Sequence, residues 1–150
     1  VGCDQVTKSA ARSYLRTGEE ISFLSDTVRL QRAENPGAFL SIGAALPATV
    51  RTLIFTSGCA LFLGGAMLWA AFSRRMNTIQ TAGAALVCGG GVGNLIDRCT
   101  RDGYVTDFLN LGIGSMRTGI FNLADVVLLL GLAVLSISGA GSMQGARQRS

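Results

Sequence analysis

Three long stretches of this chain carry almost no charge, and that feature constrains its fold more than any other. Positions 52–72 and 76–96 hold no Asp, Glu, Lys or Arg, and 119–138 holds only Asp125. A bilayer core of roughly 30 Å is crossed by about 20 helical residues at 1.5 Å each, so each stretch is long enough to span. Charged residues make up only 15% of the chain, against about 25% in soluble domains. The sequence therefore predicts one integral membrane domain over 1–150, mainly α, with transmembrane helices at 52–72, 76–96 and 119–138.

Charge placement orients these spans. The net charge is +4, yet acids and bases balance within 1–47 and within 97–118. The surplus lies in Arg74 and Arg75 and in Arg147 and Arg149, segments that fall on the same side of a three-span chain. Loops rich in unopposed Arg are cytoplasmic, which places 73–75 and the tail 139–150 inside and 1–47 and 97–118 outside. The scattered surplus excludes a nucleic-acid patch. With no His in the chain, imidazole is removed as general base and metal ligand, which leaves Asp, Glu, Lys, Cys, Ser and Tyr. Cys3, Cys59, Cys88 and Cys99 have no metal-ligand or redox spacing. They read as small apolar residues, with a Cys3–Cys99 pair left open, and neither metal nor cofactor is expected.

Between Asp4 and Gly18 the pattern Val6, Ala10, Tyr14 reads as a short amphipathic helix. Residues 21–32 alternate around Val28 and Leu30, as a strand at the membrane surface would. Glu34-Asn35-Pro36-Gly37 is a turn signal, and Pro47 suits the opening of the first span. Residues 99–118 read as an outer loop and the Gly/Ser/Gln/Arg tail as mobile. Gly89 and Gly93 form a GxxxG, read as close helix packing and not as a phosphate loop.

Asp125 is the most informative residue. An acid inside an otherwise uncharged span costs about 2.5–3.5 kcal/mol to insert and generally faces a protein interior or water-filled cavity. Asn122, read as one turn earlier on the same helical face, is suited to hold it. Asp107 lies in the apolar run Tyr104-Val105-Thr106-Asp107-Phe108-Leu109, also on the outer side. Two carboxyls brought close cannot both ionise cheaply, so one keeps a proton and the pair offers base and acid together. Asn94 and Asp97 share a helical face, and Arg98 can pair with an acid or a lipid phosphate.

Taken in order, Asp4-Gln5-Val6-Thr7-Lys8, Asn35-Pro36-Gly37-Ala38-Phe39, Gly93-Asn94-Leu95-Ile96-Asp97-Arg98, Val105-Thr106-Asp107-Phe108 and Phe121-Asn122-Leu123-Ala124-Asp125 resemble the lipoprotein signal peptidases, or signal peptidase II, the bacterial membrane aspartyl peptidases. The resemblance implies Asp107 and Asp125 as catalytic residues. It implies Asp4, Lys8, Asn35, Gly37, Asn94, Asp97, Arg98 and Asn122 as supporting or substrate-binding positions. It also implies a small extracytoplasmic β-cradle, a fourth, N-terminal span upstream of this chain, and a location in the bacterial cytoplasmic (inner) membrane with the site near the outer face. The implied partners are diacylglyceryl-modified pro-lipoproteins and membrane lipids, and a monomer is expected. A small proton-coupled transporter using Asp125, or an inactive lipoprotein-binding relative, are the alternatives.

Overall fold

A computed structural model describes residues 1–37, 45–73 and 76–147, with backbone only from 140 onward. Arg74 and Arg75, on which the expected orientation rests in part, and the motif beyond Gly37 lie outside the described residues. The elements run α1 (Gly2–Tyr14), β1 (Glu20–Phe23), β2 (Val28–Asn35), α2 (Ala48–Thr52), α3 (Gly58–Phe72), α4 (Thr78–Thr100), β3 (Val105–Ile113), β4 (Met116–Arg117) and α5 (Leu123–Arg147). A π-helical turn, Leu53–Ser57, joins α2 to α3. The four strands form one small antiparallel sheet in the order β1-β2-β3-β4.

Among the described residues two helical stretches are long and apolar enough to cross a membrane, Ala48–Phe72 and Thr78–Thr100, while the apolar part of α5, Leu123–Gly139, is shorter. Pro47 is the N-cap of α2, where a residue that cannot donate an N–H does no harm. Asn77 opens α4 through a reciprocal capping box with Gln80, satisfying two amides that would otherwise be orphaned at the helix start. Helix α5 continues past the expected end of the last span at 138, to Arg147.

The α4–α5 contact is built on glycine. A Cβ at Gly90 would sit 2.5 Å from the Ala124 carbonyl oxygen, and one at Gly131 would sit 2.7 Å from the Gly83 carbonyl oxygen. Only hydrogen side chains let the two backbones approach this closely. The packing reading of the glycine run therefore holds, but through different members. Gly93 is in contact with Ala124 and Asp4, whereas Gly89 faces open space and Gly90 does the work expected of it.

Two other expectations change. Helix α1 is amphipathic in the inverted sense: Asp4, Lys8 and Ala11 are buried, while Val6 and Tyr14 face outward. Segment 99–118 is not an irregular loop, since α4 runs to Thr100 and β3 and β4 follow. The sequence reading missed β3 because its first half is buried on both faces, and such a strand shows no alternation.

Candidate active site

The site lies where α1, β2, β3, α4 and α5 meet, and it is assembled from a buried cation outward. Lys8 is 0% exposed. Its ammonium donates to Asn94 Oδ1 at 2.8 Å and pairs with Asp4 Oδ2 at 3.0 Å and Asp97 Oδ2 at 3.3 Å. Three donors thus meet three acceptors, the condition under which a buried charge is tolerated. The carboxylates are shared in turn. Asp4 Oδ1 accepts the backbone N–H of Ala124 in the first turn of α5 at 2.9 Å, where the helix dipole favours an anion. Asp97 Oδ2 accepts the N–H of Thr106 at 3.0 Å, adjoining Asp107. Gln5 Nε2 donates to Asp97 Oδ1 and to the Gly93 carbonyl. The buried polar stripe of α1 is therefore the fastener between α4, α5 and β3.

Asn94 passes this order on to the first acid. Its oxygen is held by Lys8, which fixes the amide orientation, and its Nδ2 donates to Asp125 Oδ1 at 2.8 Å. Asn122 serves both acids. Its Nδ2 donates to Asp107 Oδ1 at 2.7 Å and to Asn94 Oδ1 at 3.1 Å, and its backbone N–H donates to Asp125 Oδ2 at 3.1 Å. Asn122 Oδ1 accepts the N–H of Asp125. The pair is thus a capping box: Asn122 is the N-cap of α5 and Asp125 its third residue. This corrects the expectation of a shared helical face. The Asn-x-x-Asp spacing reflects the start of a helix, not one turn of its side.

Asn35 Nδ2 donates to Asp107 Oδ2 at 2.9 Å, and its own Oδ1 accepts the Gly37 N–H. A β-bulge makes this contact possible. Leu30 pairs with Leu109, but Ala33 pairs with Asp107 and Asn35 with Val105, so one extra β2 residue is absorbed between them. In an uninterrupted strand Asn35 and Leu30 would point to opposite faces. The bulge reverses that parity and puts Asn35 on the face of Asp107. On the other face, Thr106 donates to Glu34 and accepts from Arg12.

Burial is the largest influence on the Asp107 carboxyl and raises it. The amides of Asn35 and Asn122 pull it down and the neighbouring Asp125 charge raises it, leaving it at about 6 against an ordinary 3.8. Among the described residues Arg98 makes no ion pair with a carboxylate. It donates to the Gly37 carbonyl at 2.8 Å and the Asn94 carbonyl at 3.4 Å, so it holds the turn after Asn35. Beside Asp125 opens an apolar cavity of about 390 Å³ lined by Leu111, Phe121, Val126, Leu129 and Leu130 among others.

Every site residue named from the sequence thus converges here: Asp4, Lys8, Asn35, Gly37, Asn94, Asp97, Arg98, Asp107, Asn122 and Asp125. Gln5 and Thr106 were overlooked as members. Gln5 lies within a quoted motif, but no sequence signal marks a Thr that works through its backbone N–H. Cys3 and Cys99 are both exposed and free, so no bond joins them.

The family model for signal peptidase (SPase) II matches residues 1–140. The chain belongs to that family. It is 35% identical over 154 residues to a lipoprotein signal peptidase of Leifsonia xyli, covering 97% of this chain and 66% of the relative, so it spans just under two thirds of that protein's length. It is 31% identical to the lipoprotein signal peptidase of Syntrophus aciditrophicus, covering 89% of this chain and 83% of the relative. A solved bacterial membrane enzyme superposes with a TM-score of 0.82 over 95% of this chain and 83% of its own, at 24% identity, which shows the shared fold. Signal peptidase II membership fits a membrane peptidase with apolar helices and a small antiparallel sheet.

Proposed function

We propose that this chain is an aspartyl endopeptidase that cleaves lipidated pro-lipoproteins just before the diacylglyceryl-modified cysteine, releasing the signal peptide. The observation that carries the reading is Asn122, which hydrogen-bonds Asp107 with its side chain and Asp125 with its backbone. Two acids from different elements are thereby held at one point, beside an apolar cavity that reaches Asp125.

The pair carries one proton and titrates as a unit. Its ionised member takes a proton from a water as that water attacks the scissile carbonyl. Its protonated member hydrogen-bonds the carbonyl oxygen, where negative charge develops, and a proton then passes to the amine nitrogen of the departing cysteine. Asn35, Asn94 and Asn122 orient the carboxylates, Lys8 with Asp4 and Asp97 holds Asn94, and Arg98 secures Gly37. In this reading α5 is a third span, the sheet and site lie at the outer face of the cytoplasmic membrane, the tail is inside, and the enzyme works as a monomer.

The test is a gel-mobility cleavage assay with diacylglyceryl-modified pro-lipoprotein, comparing the parent with Asp107→Asn and Asp125→Asn. Each substitution keeps the shape and removes the proton chemistry. Each is expected to lower kcat by a factor of about 10²–10⁴ with little change in KM. Undiminished cleavage by either variant would break the dyad.

A further inference from the structure

The end of the sheet remote from Asp107 exposes large apolar side chains that no element among the described residues covers. The β1–β2 and β3–β4 hairpins turn at this same end, since Thr27 accepts the Gly112 N–H and Arg117 donates to Asp26. Leu24 is 75% exposed, Ile113 81% and Met116 80%, with Phe23 half exposed beside them. Leu24 is held outward on backbone of positive φ, which it shares with Ser25 and Asp26. Single exposed apolar residues are ordinary, but a contiguous group marks an interaction surface.

The direction of β3 identifies what the group meets. Asp107 is bonded to Asn122, immediately before α5, while Leu111, four residues further along β3, shares a cavity with Leu129 and Leu130 two turns down the helix. The strand therefore runs alongside α5 in the same sense, from the mouth of the site towards the bilayer interior. Eight residues of helix advance about 12 Å, so the hairpin turns beyond Leu111 lie below the level at which α5 begins. A second apolar cavity, sharing Leu111 and Thr118 with the first, continues the surface to Ile113 and Met116. It is thus continuous with the exposed Leu129 and Leu130 on α5.

We propose that the two hairpin tips, through Phe23, Leu24, Ile113 and Met116, insert into the hydrocarbon of the leaflet that holds the site. They form a second membrane anchor for the sheet that carries Asn35 and Asp107. This rests on α5 lying in the bilayer and not on the peptidase chemistry. Asp26, within the β1–β2 turn itself, is paired with Arg29 and Arg117, and Arg29 also with Glu20, so the charges at and just behind the tips are matched to one another.

The full chain carries one tryptophan, Trp69. In a Trp69→Phe background, Leu24→Trp and Met116→Trp are separate reporters, reconstituted in phosphatidylcholine vesicles with or without dibrominated acyl chains. Leu132→Trp on α5 serves as the depth reference. Strong quenching of both tip reporters by bromolipid, with protection from aqueous iodide, is the expected result. Quenching of the tips by iodide alone overturns the proposal, and the α5 reading falls with it only if Leu132→Trp behaves likewise. Protection from both quenchers means that the tips are covered by protein, such as a second copy of the chain, and overturns it equally. Two independent reporters keep the test decisive should one variant fail to fold.

Discussion

Helices α3 and α4 are neighbours, both apolar and both uncharged along most of their length, yet they are used in opposite ways. Within α3 only Leu63 is buried, fitted against Gly91 of α4. Eight residues of α4 are buried, among them Gly83, Gly90, Gly91, Gly93, Asn94 and Asp97. Meanwhile Phe62, Leu68, Trp69 and Phe72 of α3 face outward. The difference is that lipid contact suits large apolar side chains, whereas helix contact in a bilayer suits small residues that let backbones touch and polar groups bond across. Average apolarity marks both helices as long and apolar enough to span but does not tell the wall of the site from its outer cladding.

That contrast breaks most sharply at Lys8. Lys8→Met leaves Asp4 and Asp97 buried without their cation, and removal of one partner from a buried ion pair costs about 3–5 kcal/mol. Thermal unfolding in detergent should show that loss, together with loss of cleavage, because Asn94 no longer has a fixed orientation for Asp125. An unfolding temperature close to the parent's would mean that the network is dispensable.

The next effect is a pH dependence of stability. Burial lifts the Asp107 carboxyl to about 6 in the folded chain from 3.8, so the folded state binds this proton more tightly than the unfolded state. Its contribution therefore favours folding most below about pH 4, declines as pH rises towards 6, and is constant above. The decline amounts to about 3 kcal/mol at 1.36 kcal/mol per pH unit. Asp107→Asn should remove it, so the stability difference between variant and parent should widen in the variant's favour between pH 4 and 6. A difference that does not vary with pH would contradict the burial argument.

Glycine substitutions sharpen the comparison of the two helices directly. Gly90→Ala brings a methyl against the Ala124 carbonyl oxygen and should cost about 1–3 kcal/mol as an overpacked contact. It should also weaken cleavage by moving Asn94 relative to Asp125. Gly64→Ala on α3 meets nothing within 4 Å. It should be neutral or stabilise by at most about 1 kcal/mol, through helix propensity alone. Equal effects at the two positions would show that the α4–α5 approach does not control the site.

Much of the site was legible because its residues break the rules of their surroundings. Asp125 stands in an uncharged stretch, Asp107 in an apolar run, and Asn94, Asp97 and Arg98 at the end of a span. Their contacts were not legible. The inverted face of α1 misled because a polar stripe is normally solvated, and here it is buried only because α4, β3 and α5 supply partners for each atom. Strand β3 was hidden because its buried half shows no alternation. Asn35 sits on the face of Asp107 only through a bulge that shifts the pairing by one residue, a parity that no period-two reading of 28–35 contains.

The sequence by itself determined the solvent of this protein and its inventory of chemistry. Length and apolarity give helices long and apolar enough to cross lipid, and the absence of His removes imidazole from the inventory. The tertiary structure alone decided which carboxylates share a partner. Asp107 and Asp125 stand 18 positions apart in the chain, on a strand and a helix. They share Asn122 because glycines let α4 reach α5, while Lys8 ties α1 to α4 and Asp4 ties it to α5. Proximity and desolvation are properties of the packed chain, and they turn two ordinary acids into a coupled pair.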